Sequence, residues 1–383
     1  MISRNILFFI SSLDTGGAEL HLLNLCRYLT GQGFRASVCT LGQGGELADR
    51  FRETGTAVYG LGIRSLRDLT RRSVRRRIKE ILHSAGPDIL HAHLYHAEIA
   101  AAMASVISGA PLVVTRHSAG LEFNGTRRIL AAAAGRRTRR LIAVSDEAAE
   151  EAAGMGVAED SIDVIPNGVD TSRFRPMEPA LRESEKARLV SENLPGDAGP
   201  GCLLVGSISG LKPVKDFPTL LKAFSAFLSS AENDARLIMI GEGPSRGELE
   251  RLASDLGIER HVSFPGRTDR PEEYLPLFDI FVLPSRSEGV PMAILEAMSC
   301  GVACAASRVG GIPGILGDCG ITFEPGDPDG LAGTLARLAA DGPARAEFGR
   351  RARIRAMEFY GLDLWGSRTI EVYDRLGGPR RGC

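Results

Sequence analysis

Ile280-Phe281-Val282-Leu283-Pro284-Ser285-Arg286-Ser287-Glu288-Gly289-Val290-Pro291-Met292-Ala293-Ile294-Leu295-Glu296-Ala297-Met298 runs from an apolar segment through turn residues into a helical pattern. The four apolar residues read as a buried strand, and Pro284 to Gly289 supply the turn. Pro291 suits the first helical position, where a missing N–H is harmless. The free amides of that helix, and the positive end of its dipole, face the loop and favour an anion such as a phosphate. Glu288 stands at the mouth of the helix and Glu296 lies farther along it. A phosphate flanked by two carboxylates that cannot share its charge points to a ligand with hydroxyls on both sides, as in a sugar nucleotide. The amides of Gly289, Val290 and Met292 are the candidate donors.

A second junction of the same kind lies upstream. The chain has five lysines against forty-one arginines, and Lys212 and Lys215 share one Gly/Pro-containing loop after the apolar run Cys202–Val205. Asp216 reads as the N-cap of the helix that follows, which begins Phe217-Pro218-Thr219-Leu220-Leu221-Lys222-Ala223-Phe224. Lys215 is thus a compact cation beside a helix N-terminus, an arrangement that holds a diphosphate.

Working outward, short apolar runs alternate with helical patterns along nearly the whole chain, the signature of βαβ units and parallel sheets. Thirteen runs qualify as strands, from Ile6–Ile10 to Ile321–Phe323. The expected fold is α/β, with two facing Rossmann-like doubly wound parallel sheets and a cleft between them. The domains are expected at 1–170 and 201–358, joined by a polar, proline-containing linker over 171–200 with a short charged helix at Leu181–Val190. A last helix over about 360–378, carrying Trp365, Ile370, Val372 and Tyr373, is expected to pack back on the first domain. At 383 residues the chain is long for one core and natural for two.

Open parallel sheets bind ligands beyond the carboxyl ends of their strands. In the first half this singles out Asp14-Thr15-Gly16-Gly17, His91-Ala92-His93 and Arg116-His117-Ser118, all at strand-to-helix exits. Gly16-Gly17 opens a helix and lets backbone approach an anion closely.

A net charge of −1 argues against a nucleic-acid partner. Charge is unevenly spread, with eight basic residues and one acid from Arg64 to Lys79, and seven and one from Arg116 to Arg140. Arg71, Arg72, Arg75, Arg76, Arg77 and Lys79 share a helical segment with Ile78, Ile81 and Leu82, a basic amphipathic surface suited to anionic lipid. Seven cysteines without a C-x-x-C pair fit reduced thiols in the cytoplasm. No run reaches the length of a membrane span, so membrane contact is expected to be peripheral, on the inner face of the cell membrane. Asp327-Pro328-Asp329 reads as a helix cap rather than a metal motif.

Several of these pieces, in collinear order from about residue 5 to 375, resemble the family-4 retaining glycosyltransferases of the GT-B fold. They are Gly16-Gly17-Ala18-Glu19, His91-Ala92-His93, Val164-Ile165-Pro166-Asn167-Gly168-Val169-Asp170 with Phe174, Lys215 with its helix, Gly241-Glu242-Gly243-Pro244, Glu288 through Met298 and Gly310-Gly311-Ile312-Pro313. The resemblance implies a hexosyltransferase that uses a nucleotide-diphosphate sugar, UDP- or GDP-linked, without a metal or other cofactor. It implies a saccharide or polyprenyl-linked acceptor, a place in cell-envelope polysaccharide biosynthesis and a retained anomeric configuration. It assigns Glu288 to sugar hydroxyls, Glu296 to the ribose, Lys215 and Gly16-Gly17 to the diphosphate and His93 to the anomeric centre. Arg116 and His117 fall on the acceptor side.

Three positions depart from the family pattern. The usual arginine five residues before the lysine is Gly210, leaving Lys212, Arg267 or Arg286 to substitute. Gly314 stands where a glutamate usually follows the Gly310-Gly311 pair, and Pro291 replaces a glycine. The alternatives are a nucleotide-sugar epimerase or a catalytically weakened binder of the same fold. A dinucleotide oxidoreductase fits poorly, because Gly241-Glu242-Gly243-Pro244-Ser245-Arg246-Gly247 has one residue too many for G-x-G-x-x-G.

Overall fold

The computed structural model describes residues 4–117, 130, 132–195, 201–230 and 234–376. The chain divides into two compact units, Met1–Gly168 with Leu362–Cys383, and Val169–Gly361. Ser118, Arg127 and Arg128 from the first-half motifs, and Pro200 of the expected linker, lie outside the described residues.

The first unit is built on seven parallel strands: β1 (Asn5–Ile10), β2 (Arg35–Thr40), β3 (Ala57–Gly60), β4 (Ile89–His93), β5 (Leu112–Arg116), β6 (Thr138–Ala143) and β7 (Ile162–Val164). Their order is β3-β2-β1-β4-β5-β6-β7. The order reverses between β1 and β4, which pair directly, Ile6 with Ile89 and Phe8 with His91. The second unit repeats the plan with β8 (Leu203–Ile208), β9 (Ala235–Ile240), β10 (Val262–Gly266), β11 (Ile280–Leu283), β12 (Ala303–Ser307) and β13 (Ile321–Phe323), in the order β10-β9-β8-β11-β12-β13. Here the reversal falls between β8 and β11. Each sheet is doubly wound, with a switch point where loops diverge to opposite faces and leave a crevice.

Strand period explains the cores. In β1, Ile6, Phe8 and Ile10 point to one face and join Leu22, Leu25, Trp365, Val372 and Tyr373. Leu7 and Phe9 point to the other and join Ile78, Ile81 and Ala101. A strand covered on both faces must be apolar throughout, which is why Ile280–Leu283 carries no polar residue and is wholly buried. The final helix, Leu362–Asp374, lies in the first unit, where burying Trp365 and Tyr373 contributes about 1.5–3 kcal/mol for each side chain. Gly366 allows the approach, since a Cβ there would collide with the Tyr28 ring.

The charged helix expected within 171–200 is present and extends beyond Leu181–Val190 at both ends. Helix Pro179–Asn193 belongs to the second unit. Arg182 donates to Asp279 (2.7 Å) and to the carbonyls of Pro276, Leu277 and Phe278, and Lys186 bonds the other oxygen of Asp279 (2.6 Å). Asp279 also accepts the Leu204 amide at 2.7 Å, so the charged helix is anchored to the start of β8. These cations hold Asp279 below the usual carboxylate range despite its burial.

Candidate active site

In the second unit, two loops leave the neighbouring strands β8 and β11 and are stitched together. Past β8 the chain forms a short 3₁₀ turn, Pro213–Lys215, then Asp216 in the left-handed region (φ 48°), then helix Phe217–Ser230. Asp216 does not cap that helix in the expected way. Its carboxylate accepts from the Thr219 hydroxyl (2.9 Å) and pairs with Arg286 (3.1 Å), which fixes the reversal that aims Lys215. The Arg286 amide donates to the Val214 carbonyl at 2.8 Å, joining the two loops through backbone.

Lys215 and Glu288 meet across this seam. The Lys215 ammonium bonds Glu288 Oε1, and the Ser285 hydroxyl donates to the same oxygen at 2.6 Å. Both side chains are largely covered, with 20% and 10% of their surface exposed. Ser307 in turn donates to the Ser285 carbonyl. Gly310, at φ 50°, abuts the Glu288 carbonyl so closely that a Cβ would collide with it, and the Gly311 amide donates to the Gly289 carbonyl at 2.9 Å. The glycine pair is therefore the buttress that sets the backbone of Glu288. Pro291 caps helix Met292–Ser299 from outside, in extended geometry, rather than occupying its first turn. Ile294 and Leu295 donate to the Pro291 carbonyl, so Met292 and Ala293 carry the first amides of the helix.

Glu296 is partly buried on the same helix. Burial lifts its carboxyl to about 7, with Glu272 adding to the rise and Arg173 opposing it. Arg173 bonds Glu272 at 2.8 Å and lies over the Phe174 ring at 5.1 Å. Arg173 and Glu272 were not singled out from the sequence, although Arg173 directly precedes Phe174 of the stretch that begins at Val164.

Gly210 occupies the place of the usual arginine and has room beside it. A Cβ at Gly210 would meet Lys212 Cε at 3.6 Å, in ordinary van der Waals contact. Exposed Lys212 thus stands over that position, whereas Arg286 is engaged with Asp216 and exposed Arg267 follows β10. Gly241 and Gly243 press against the Ser209 and Leu211 carbonyls, where a Cβ would collide. This glycine motif packs the lysine loop. Asp327 caps helix Pro328–Ala340, accepting the Gly330 amide at 3.0 Å.

The first unit places different groups at its own reversal. Gly16 precedes helix Gly17–Gly31 in extended conformation, and the Glu19 carboxylate folds back over it. His93 ends β4 and is fully buried; Leu94 follows at φ 73°, ψ 148°, a conformation costly for leucine that persists only where its surroundings impose it. His93 Nδ1 lies 2.9 Å from His117 Nε2, and the two rings stack at 5.1 Å between centroids. His21 lies edge-on to His117 at 4.8 Å and joins them without having been picked out from the sequence. Burial holds His93 and His21 well below the usual imidazole value and His117 at about 4. His91 is different in kind, bonded to Tyr373 Oη and Thr115 Oγ1, both at 2.7 Å, so it braces the strand. Arg116 is buried too, and its guanidinium binds Glu98 at 3.3 Å and Met155 Sδ at 3.2 Å, so it braces the body of the unit rather than facing solvent.

Residues 15–173 match the model of glycosyltransferase family 4, and residues 199–341 match that of the group 1 glycosyl transferases. The chain belongs to the family-4, group 1 glycosyltransferases. It is an enzyme of that family, a hexosyltransferase, as the sequence reading expected. The D-inositol 3-phosphate glycosyltransferase of Acidothermus cellulolyticus is 28% identical over 91% of this chain and 83% of its own. The N-acetyl-alpha-D-glucosaminyl L-malate synthase of Bacillus anthracis is 34% identical over 178 residues, and the chain spans less than half of that relative's length, 46%. Among solved structures, Anabaena HepE in complex with UDP superposes with a TM-score of 0.82 at 23% identity, covering 97% of this chain and 100% of that one. That likeness carries the GT-B fold for this glycosyltransferase.

Proposed function

We propose that this glycosyltransferase moves a hexose from a nucleotide-diphosphate sugar to a saccharide or lipid-linked glycan of the cell envelope, with retention at the anomeric carbon. The observation that carries the reading is the Lys215–Glu288 pair, set by two stitched loops at the switch point of the second sheet. The diphosphate draws Lys215 from Glu288, and the freed carboxylate accepts from sugar hydroxyls. Negative charge grows on the departing nucleoside diphosphate, where Lys215, Lys212 and the first amides of helix Met292–Ser299 stabilise it. This cation set lets the donor chemistry proceed without a metal. The acceptor hydroxyl attacks the face that the phosphate leaves, and the departing oxygen takes its proton. Glu296 holds the ribose, His93 the sugar near its reacting carbon, and His117 lies toward the acceptor.

No helix among the described residues is long and apolar enough to cross a membrane. Helix Arg72–Ala85 buries Val74, Ile78, Ile81 and Leu82 and exposes its arginines. We assign it to an anionic membrane surface, at about 1 kcal/mol per basic residue in contact.

The deciding experiment screens UDP- and GDP-sugars for slow hydrolysis, then for transfer to glycan acceptors with product anomers read by NMR. Turnover of one donor class, lost in Lys215→Ala with the fold intact, supports the reading. Turnover that survives Lys215→Ala, or an inverted product, overturns it.

A further inference from the structure

Two helices of the first unit, Arg72–Ala85 and Tyr95–Ser108, lie against each other and leave a groove of about 530 Å³. A groove of this volume is the size that small-molecule sites take. One wall is cationic: Arg72, Arg75, Arg76 and Lys79 follow i, i+3, i+4, i+7 spacing and line it from one face of the first helix. The other is apolar, built from Met103, Val106 and Ile107 of the second helix, with Val106 58% exposed. Neither wall is what a solvated helix surface calls for. A surface helix turns charge outward, yet Tyr95–Ser108 carries one acid, the buried Glu98, and no lysine or arginine. The first helix has no acid in its first turn, so its cations crowd the positive end of the helix dipole. Arg76 is paired with Glu80 at 3.1 Å, whereas Arg72, Arg75 and Lys79 have no ion-pair partner among the described residues. Uncompensated positive charge beside exposed apolar side chains matches one kind of ligand, an anion with a hydrocarbon tail.

We propose that this groove binds one anionic phospholipid of the membrane, its phosphate held by Arg72, Arg75 and Lys79 and the first part of an acyl chain laid along Met103, Val106 and Ile107. The inference rests on the membrane assignment of helix Arg72–Ala85 and deepens it: a charged surface attracts any anionic bilayer, whereas this groove recognises a lipid molecule. A guanidinium meets a phosphate with two parallel donors, and the Lys79 ammonium adds a point charge. The methylene stems of the same cations lie against the chain while their heads reach the phosphate. Apolar burial then adds to the charge attraction, so binding persists in salt that screens a purely electrostatic contact. The lining shares no residue with the Lys215–Glu288 seam or with the histidines at the end of β4 and β5.

The test uses the full chain and dihexanoyl phosphatidylglycerol, held below the concentration at which it forms micelles, with binding followed by calorimetric titration. Saturable binding of about one equivalent is expected, with inorganic phosphate at least about tenfold weaker because it leaves the apolar wall uncovered. Val106→Gln changes no charge at an exposed position and should lower lipid affinity about three- to tenfold. Arg75→Gln should lower it about fivefold, the loss of one basic contact, and Arg77→Gln, the same charge removed off the groove, by less than about twofold. Phosphate that binds as tightly as the lipid, Val106→Gln that binds as the wild type does, or equal losses in Arg75→Gln and Arg77→Gln would each overturn the groove. Sedimentation with vesicles of mixed phosphatidylcholine and phosphatidylglycerol reads the membrane assignment by itself. A chain that ignores the vesicles defeats that assignment. One that sediments with them, and does so equally as Val106→Gln, keeps the membrane contact and loses the groove.

Discussion

The two switch points occupy the same place in two sheets of matching order, yet one is lined by charge and the other by neutral rings. Between β8 and β11 the loops bring together Lys215, Glu288, Arg286 and Asp216, with opposite charges paired. Near β1 and β4 the loops and the first helix bring together His21, His93 and His117, which burial keeps uncharged. Topology fixes where a crevice lies, and the residues at the strand exits fix what it binds. A diphosphate needs fixed positive charge and amides. A neutral sugar hydroxyl needs lone pairs and ring N–H groups that carry no charge of their own.

The sharpest way to break this contrast is to discharge the second-unit seam. Lys215→Ala and Glu288→Ala should each lower kcat by about 10²–10³, the scale of one lost transition-state contact, with circular dichroism unchanged. Retention of most activity by either variant would mean that the diphosphate is held elsewhere. The matching change in the first unit is smaller. His93→Ala removes one hydrogen-bonding ring and should lower kcat roughly tenfold to a hundredfold while leaving the KM for the donor nearly unchanged. A large rise in donor KM with kcat intact would place His93 in donor binding and blur the contrast.

Glu296 sharpens it from the side of pH. Its carboxyl titrates at about 7 in the folded protein, above its ordinary value of 4.5. The folded chain therefore binds the proton more tightly than the unfolded one. The stability this gives is present below about 4.5 and is lost as pH rises toward 7, by at most about 3 kcal/mol before solvent screening is allowed for. Glu296→Gln should gain melting temperature over the wild type as pH rises from 5 to 8. Donor KM should fall over the same range in the wild type alone, since only the ionised carboxylate accepts two ribose hydroxyls. A gap in melting temperature that does not change with pH would refute the assignment.

Much of this was legible in the sequence, and the misses have physical causes. All thirteen strands appear within a few residues of their expected bounds, because central parallel strands must be apolar on both faces and so stand out as unbroken runs. The charged helix read at Leu181–Val190 runs over Pro179–Asn193, but its attachment to the second unit was not legible because its anchor is ionic: Arg182 and Lys186 look solvated until Asp279 is seen between them. Asp216 read as a cap because aspartate favours that position, but aspartate also tolerates a left-handed φ, and residue type alone does not tell the two uses apart. His21 escaped notice because it is four residues into a helix, where a histidine on the inner face looks like core. Lys215 and Glu288 stood out because glycine, proline and a lone charge rarely gather at a strand exit unless backbone and charge together face a ligand.

Gly210 offers the smallest and most informative change. Its φ is not in the left-handed region, and the atoms nearest a built Cβ are the Lys212 stem and the Glu242 carbonyl, at 3.6 and 3.8 Å, in ordinary van der Waals contact, so an arginine there fits without backbone strain. If Lys212 has taken over the missing cation's duty, Lys212→Ala should lower kcat/KM by roughly tenfold in the wild-type background, the size of one charge-assisted hydrogen bond at a partly solvated site. In the Gly210→Arg background the same substitution should cost almost nothing, because the guanidinium reaches the diphosphate with two parallel donors. Gly210→Arg alone should raise kcat/KM only a few-fold, since Lys212 already fills much of the role. The interaction energy of this double-mutant cycle isolates the substitution from changes in folding. Two strictly additive effects would show that Lys212 acts apart from position 210 and that the charge of the second switch point is complete without it.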